Sequence, residues 1–498
     1  MAGMRGHCVA AFLLCLLSIA GAPQEAVDAQ APATVTILHI NDVYEIDAID
    51  GGRYGGLSRA ATVLQRLELA RPPVLMTLGG DYLSPSAIGT AIIDGEPLGG
   101  RQMVDVLNHV GVDWAVLGNH EFDVSEAAFR ARLAESRFRV VSSNVSESNG
   151  QPFPGTVLSA IVPVHAGGRA IRLGLIGLTI DSSRRPWVLY APPVVAAREQ
   201  LAHLQGKVDA VIALTHLSLA ADQDLVTQVP GIDLVLGGHE HENWLLRRGS
   251  NFTPIVKADA NVRTVAIVTL TFGSAKTRPT VTARFDVLDR SIPPDSKVQS
   301  LVQKWTSIAF DAFRKSGFEP ARVVATVSEP LDGRESAVRH QPGRLTDLIT
   351  AAFDREAGGV DVAILNGGSV RVDDVVQAGP VTEYDVIRIL PFGGRVTRAA
   401  IDGALLRAVL DAGLTNRGTG GFLHARGAVR DESQWVIAGR PLDVSTRYTV
   451  AMTDFLMSGG ESNLGFLTRT NPAVHGVQDL RDVRLAFIDE LRAQYAPK

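Results

Sequence analysis

The chain has 498 residues, of which 46% are apolar and 20% charged. That is too long for one hydrophobic core and has the balance of a globular protein of two or three domains. The formal net charge is −5 with no long basic run, which argues against a nucleic-acid polymer as partner.

The N-terminus reads as a secretory signal. Arg5 supplies a positive start, and Cys8–Ala22 is an apolar run too short to span a bilayer comfortably. Val27-Asp28-Ala29 offers a small-x-small cleavage site before Gln30, so a signal peptide is expected over 1–29. An uncleaved anchor is the alternative. Both cysteines, Cys8 and Cys15, fall inside this segment. The mature chain then has no disulfide, no cysteine nucleophile and no thiolate ligand. The C-terminal stretch is charged rather than apolar. The expectation is an exported protein, periplasmic or extracellular, with no stable membrane anchor after cleavage.

From Val35 to about Leu288, strand-like runs such as TVTILHI, PVLMTLG, AIRLGLIGLT and DAVIALTH alternate with helical patterns. In GGRQMVDVLNHVGVDW, Met103, Val104, Leu107 and Val110 keep a helical period and Gly111 is a natural stop. The pattern predicts a layered α/β domain over 34–290. Pro293-Pro294 marks a break, and 297–315 reads as a linking helix within 291–318. A second α/β pattern begins near Glu319 and fills 319–498: RVVATV, then RLTDLITAAFDREAGG, then VDVAILNGG. A further helix is predicted over 399–413, and a last one over about 485–495.

Five apolar runs of the first domain end in oxygen and imidazole groups. They lead into Asn41-Asp42, Gly79-Gly80-Asp81, Gly118-Asn119-His120-Glu121-Phe122-Asp123, Thr215-His216, and Gly237-Gly238-His239-Glu240-His241. Any one of these is ordinary turn or capping chemistry. Together they are not, because ligands gather at the carboxyl ends of strands in α/β sheets. Two divalent ions about 3.5–4 Å apart need a carboxylate that bridges them, and Asp81 suits that role. Such ions lower the pKa of a bound water and clamp phosphoryl oxygens during in-line attack. Imidazole and carboxylate suit zinc, manganese, iron or cobalt.

These motifs resemble those of the calcineurin-like metallophosphatases, with GNHEFD at 118–123 the most specific match. The resemblance implies that Asp42, Asp81 and His241 face one ion, and that Asp81, Asn119, His216 and His239 face the other. His120, oriented by Asp123, would act on the phosphoryl group or leaving oxygen without binding metal. That family places histidine where this chain has Tyr44. Three readings stay open: a phenolate ligand, which would call for trivalent iron; a residue that does not bind; or one that simply packs.

The second domain carries Leu365-Asn366-Gly367-Gly368-Ser369-Val370-Arg371, then Leu390-Pro391-Phe392-Gly393-Gly394, then Thr453-Asp454-Phe455 and Gly459-Gly460-Glu461. In this order they resemble the C-terminal domain of the 5'-nucleotidase and UDP-sugar hydrolase family. The resemblance implies a four-layer α/β/β/α sandwich, a linker helix and a smaller α/β nucleotide-binding domain. Phe392 and Phe455 would sandwich a base. Asn366 and Glu461 would contact base or ribose, and Arg371 and Arg339 would bind phosphate or an adjacent carboxylate. The family's Arg-x-x-Glu is here Arg339-His340-Gln341-Pro342, without the glutamate. With the base on one domain and the phosphate on the other, catalysis would need closure or rotation about the linker.

The function so implied is an exported phosphohydrolase with two divalent ions (zinc, manganese, cobalt, or magnesium or iron). It would convert nucleoside 5'-monophosphates to nucleoside and phosphate. A UDP-sugar or 2',3'-cyclic-nucleotide hydrolase is one alternative, and a lapsed nucleotide-binding scaffold another. The partner is a nucleotide or other small phosphate ester. The oligomeric state is open.

Overall fold

The computed structural model describes residues 33–70, 73–273 and 277–496. The predicted signal peptide and both cysteines lie outside the described residues. Among the described residues, no helix is long and apolar enough to cross a membrane.

Two sheets face each other in the N-terminal domain. The first runs from edge to edge through Thr156–Val157, Arg139–Val141, Trp114–Val116, Val74–Leu78, Ala33–Ile40, Thr264–Phe272 and Thr280–Val287. The second runs through Ser159–Ala166, Arg169–Thr179, Ala210–His216, Leu234–Gly237, Thr253–Lys257 and Trp244–Arg248. Ala33–Ile40 pairs in parallel with Val74–Leu78 and antiparallel with Thr264–Phe272. Alternation along the strands divides their side chains between two cores. Val35 and Ile37 pack with Leu173, Ile212 and Leu234 between the sheets. Leu38 and Ile40 join Leu64, Leu107 and Val302 on the outer face. The outer face of the second sheet, through Val211, Ala213 and Val235, meets Ala196, Ala197 and Leu225 of the helices Pro193–Leu204 and Leu219–Gln228. The result is the expected four-layer sandwich.

The helix Ser296–Lys315 is capped by Asp295, whose side chain accepts from the amides of Lys297 and Val298. Arg314 and Lys315 close its last turn, where cations suit the helix dipole. Its apolar stripe, Val298, Val302, Trp305, Ala309 and Phe313, is part of a core that extends into the C-terminal domain.

That domain is built on a five-stranded sheet ordered Leu423–Arg426, Val362–Asn366, Arg447–Thr453, Arg395–Asp402 and Val474–Asp482. Helix Gly403–Thr415 covers one face, and Arg344–Glu356 and Val483–Gln494 the other. The helix predicted over 399–413 therefore starts later and ends later. Residues 399–402 are drawn into the sheet by antiparallel pairing with Arg447–Thr453. Asp402 is extended at the N-cap, with φ −67° and ψ 142°, before the helix begins.

Candidate active site

Five strand ends converge at one edge of the sandwich. Ile40 leads into Asp42, Leu78 into Asp81 and Val116 into Asn119. His216 is the last residue of its own strand, and Gly237 precedes His239. The turns that do this are strained. Asp42, Asp81, His239 and His241 all have left-handed backbones, with φ of 52°, 55°, 89° and 60°. Such conformations persist in non-glycine residues only where surrounding structure enforces them. The glycines are equally constrained: a Cβ on Gly118 would lie 2.1 Å from Asp81 Oδ1.

Asp42, Asp81 and His216 are fully buried, and each offers a ligand atom within 4.8 Å of the others. His216 Nδ1 donates to the Gly79 carbonyl at 2.7 Å. Its Nε2 is left 3.1 Å from Asp81 Oδ2 and 3.9 Å from Asp42 Oδ1. That nitrogen and the buried Oδ1 of Asn119 have no hydrogen-bond partner. The His239 ring lies 5.3 Å from that of His216. His241 Nε2 is 3.2 Å from Asp42 Oδ1. The Tyr44 hydroxyl does not pack away from the cluster. It lies 2.9 Å from His241 Nε2 and 3.3 Å from both Asp42 Oδ1 and Asp81 Oδ2.

The electrostatics favour positive charge beside the two carboxylates. Burial raises the Asp42 and Asp81 carboxyls, but histidines outweigh it: His241 and His216 for Asp42, His216 and His120 for Asp81. Both carboxyls are held below the usual carboxylate range. Against its own burial, His216 is raised to about 9 by Asp81 and Asp42. Burial first, then the same two carboxylates, push the Tyr44 phenol well above its ordinary value. His239, by contrast, is lowered to about 3 by burial and the charge of His216. Buried carboxylates, the neutral His239 imidazole and an orphaned amide oxygen fit divalent cations, whose charge would take the place of the protons on His216 and His241.

His120 and Asp123 lie on a short 3-10 turn, where residues three apart share a side. His120 Nδ1 donates to Asp123 Oδ2 at 2.5 Å, and the His120 amide donates to Asp81 Oδ1 at 2.8 Å. From the other domain, Arg371 Nη1 approaches His120 Nε2 at 3.4 Å. Arg371 also lines a cavity of about 590 Å³ with Asp123, Asn366, Phe392, Phe455 and Glu461. Phe392 is 53% and Phe455 47% exposed, so neither ring is spent on the core. Asn366 Nδ2 donates to Glu461 Oε2 at 2.8 Å. Arg339 is the exception among the predicted substrate contacts. It does not line this cavity and is tied to Glu335 one helical turn earlier.

Several residues that shape the site were not singled out in the sequence. Glu121, inside GNHEFD, is fully buried and accepts from the amides of Asp81, Tyr82, Leu83 and Gly118. It thereby pins two of the loops together. Buried Lys257 donates to the carbonyls of Leu217 and Gly238 at 2.6 and 2.8 Å and pairs with Asp222 and Glu240, fixing the loop that carries His239 and His241. Arg185 donates to the Phe122 carbonyl at 2.7 Å and lies 3.4 Å from Asp123. Asp373 accepts from His241 Nδ1 at 2.5 Å. A buried lysine in an apolar strand was the one visible signal among these.

Comparisons with known proteins match both halves of the chain. The calcineurin-like phosphoesterase model matches residues 35–243, and the 5'-nucleotidase C-terminal domain model matches 323–468. A snake venom 5'-nucleotidase of Naja atra is 26% identical over 90% of this chain and 94% of its own length. The 5'-nucleotidase of Bos taurus is 25% identical over 94% and 90%. Protein UshA of Yersinia enterocolitica is 24% identical over 89% of both. The fold is shared with a 5'-nucleotidase precursor from Thermus thermophilus, with a TM-score of 0.76 at 23% identity over 93% of this chain and 97% of that one. It is also shared with the Thermus thermophilus sulfate thiohydrolase SoxB, with a TM-score of 0.69 at 17% identity over 93% and 95%. With a calcineurin-like phosphoesterase domain joined to a 5'-nucleotidase C-terminal domain, the chain belongs to the 5'-nucleotidase family of phosphoric monoester hydrolases.

Proposed function

We propose that the protein is exported and hydrolyses nucleoside 5'-monophosphates to nucleoside and phosphate with the help of two divalent ions. The observation that carries this reading is one cavity lined from both domains: Phe392, Phe455, Asn366 and Glu461 from the C-terminal domain and Asp123 from the N-terminal one. Arg371 lines it too, 5.6 Å from the Phe392 ring and 3.4 Å from His120 Nε2. A base held against the rings would leave its 5'-phosphate to reach Arg371 and His120.

Asp42, Asp81 and His241 would hold one ion, with the Tyr44 hydroxyl beside it. Asp81, Asn119, His216 and His239 would hold the other. When bound, the ions lower the pKa of an attacking water and neutralise the phosphoryl oxygens. The chain's own contribution is orientation. Asp123 keeps the proton on His120 Nδ1, so Nε2 is the nitrogen presented to the phosphoryl group or the leaving oxygen. Arg371, beside that nitrogen, would clamp the same oxygens through its planar fork.

A second reading has its own support. A further cavity of about 920 Å³, lined by Ser84, Arg101, Ser125 and Arg132, shares Asp123 and Phe392 with the first. It leaves room for a larger group, as in a nucleotide diphosphate sugar.

Phosphate release from a panel of 5'-nucleotides, UDP-sugars and 2',3'-cyclic nucleotides tests both readings. Chelator is expected to abolish release, and manganese or cobalt to restore it. His120→Asn is expected to lower kcat by about 10²- to 10⁴-fold at unchanged metal content. Release from none of these esters with any metal would sink the proposal.

A further inference from the structure

The metal centre is not the property of one domain. His241 presents Nε2 toward Asp42 and Tyr44, but its other nitrogen, Nδ1, donates to Asp373 of the C-terminal domain at 2.5 Å. An imidazole that binds a cation through one nitrogen needs its other N–H fixed, because that bond sets the tautomer and the ring orientation. Here the fixing carboxylate comes from 132 residues away in sequence.

Asp373 is itself held firmly. Its backbone is left-handed at φ 40°, its side chain is 10% exposed, and its Oδ1 accepts from the Glu335 amide at 2.8 Å. Its neighbours face the same way. Arg371 reaches His120 at 3.4 Å, and Asp374 pairs with Arg263 at 2.7 Å. Three of the four residues from Arg371 to Asp374 thus grip the N-terminal domain. A fourth link, Arg388 to Glu45 at 2.9 Å, lands beside Tyr44. The contact between domains is written onto the loops that carry the candidate ligands.

We propose that Asp373 is a positioning residue for the metal centre. The ion faced by Asp42 and His241 is held at full strength only while the C-terminal domain is docked as in this structure. This rests on the reading of His241 as a ligand. Docking and binding of that ion are then coupled, and each strengthens the other by the same factor. If the domains part, His241 Nδ1 turns to water and the ring loses its fixed direction, whereas the ion faced by Asn119, His216 and His239 keeps all its groups on one domain.

Equilibrium titration of the metal-free full chain with manganese, resolved into two sites, tests this without any turnover. Asp373→Ala is expected to weaken one site by about 10- to 100-fold, the loss usual for an outer partner of a ligating histidine, and to leave the other unchanged. Asp373→Asn, which keeps the shape and one acceptor oxygen, should lie between. Arg263→Gln, which loosens the same segment without touching His241, should weaken the same site. Parental affinity at both sites in Asp373→Ala overturns the proposal. His241→Ala separates that failure from failure of the underlying reading. If it weakens one site while Asp373→Ala does not, His241 is a ligand and Asp373 only a structural contact. If it changes neither, His241 binds no ion and the proposal falls with its premise.

Discussion

Tyr44 stands two residues after Asp42, where the metallophosphatase pattern has histidine. Its hydroxyl lies among Asp42, Asp81 and His241, at 2.9 to 3.3 Å, and burial, reinforced by the two carboxylates, favours the neutral phenol. A neutral phenol is a poor donor to a divalent ion, and a neutral imidazole is a good one. Tyr44→His is therefore expected to retain more manganese or zinc than the parent after dialysis against a graded series of chelator concentrations. Less retained metal would instead make the phenolate part of the working site and direct the search to trivalent iron. The strand-end groups stood out in the sequence because each interrupts an apolar run. Their partners did not. Glu121 is adjacent to His120, but its donors include three amides about 40 residues earlier, and nothing local announces that convergence. Arg339 is paired with Glu335, a neighbour on its own turn whose carboxylate also lies 3.4 Å from Arg371, and that shared partner is not visible in the motif.

At the scale of elements, the ligand loops depend on how the two sheets are tied at their shared edge. His39, near the end of the first strand, makes such a tie. Its Nε2 donates to the Gly237 carbonyl at 3.0 Å, on the opposing sheet, and its Nδ1 accepts from the Thr77 hydroxyl at 2.9 Å. Burial pushes this imidazole from 6.5 down to about 4, despite the opposing pull of Gly237 and Asp42. The folded chain keeps it neutral, whereas the unfolded chain takes up a proton below about pH 6.5. The stability at stake is fully present above pH 6.5 and is lost as pH falls toward 4. The size of the shift sets it at about 3 kcal/mol. His39→Gln keeps polar atoms there but cannot titrate, so its unfolding free energy should fall less steeply than the parent's between pH 6.5 and 4. Equal slopes would show that His39 is charged in the folded state. Strand and helix character was easily read where one periodicity ruled, as in Arg101–Val110 with its left-handed Gly111 stop at φ 101°. It was misread at 399–402, where alanines favoured helix and a partner strand some fifty residues away favoured sheet. Local propensity cannot report a pairing that distant.

For the whole molecule, the proposed function divides recognition and chemistry between the two domains. The C-terminal domain presents two half-exposed rings to a cavity that Asp123 of the N-terminal domain also lines, and Arg371 lies 5.6 Å from the Phe392 ring and 3.4 Å from His120 Nε2. That division could be inferred from the order of motifs. The specific links, Asp373 to His241 and Arg388 to Glu45, could not, because each joins side chains from separate patterns. If the rings serve only to hold a base, removing them should cost binding and spare the chemical step. Stacking on one aromatic side chain contributes about 1–3 kcal/mol. Phe392→Ala and Phe455→Ala should each raise KM for adenosine 5'-monophosphate by roughly ten- to a hundredfold, with little change in kcat. An ester without a base, such as ribose 5-phosphate, has nothing to stack, and its kcat/KM should stay at the parental value in both variants. A comparable loss on both substrates would mean that the phenylalanines support the position of Arg371 or the docking of the domains, not the recognition of a base.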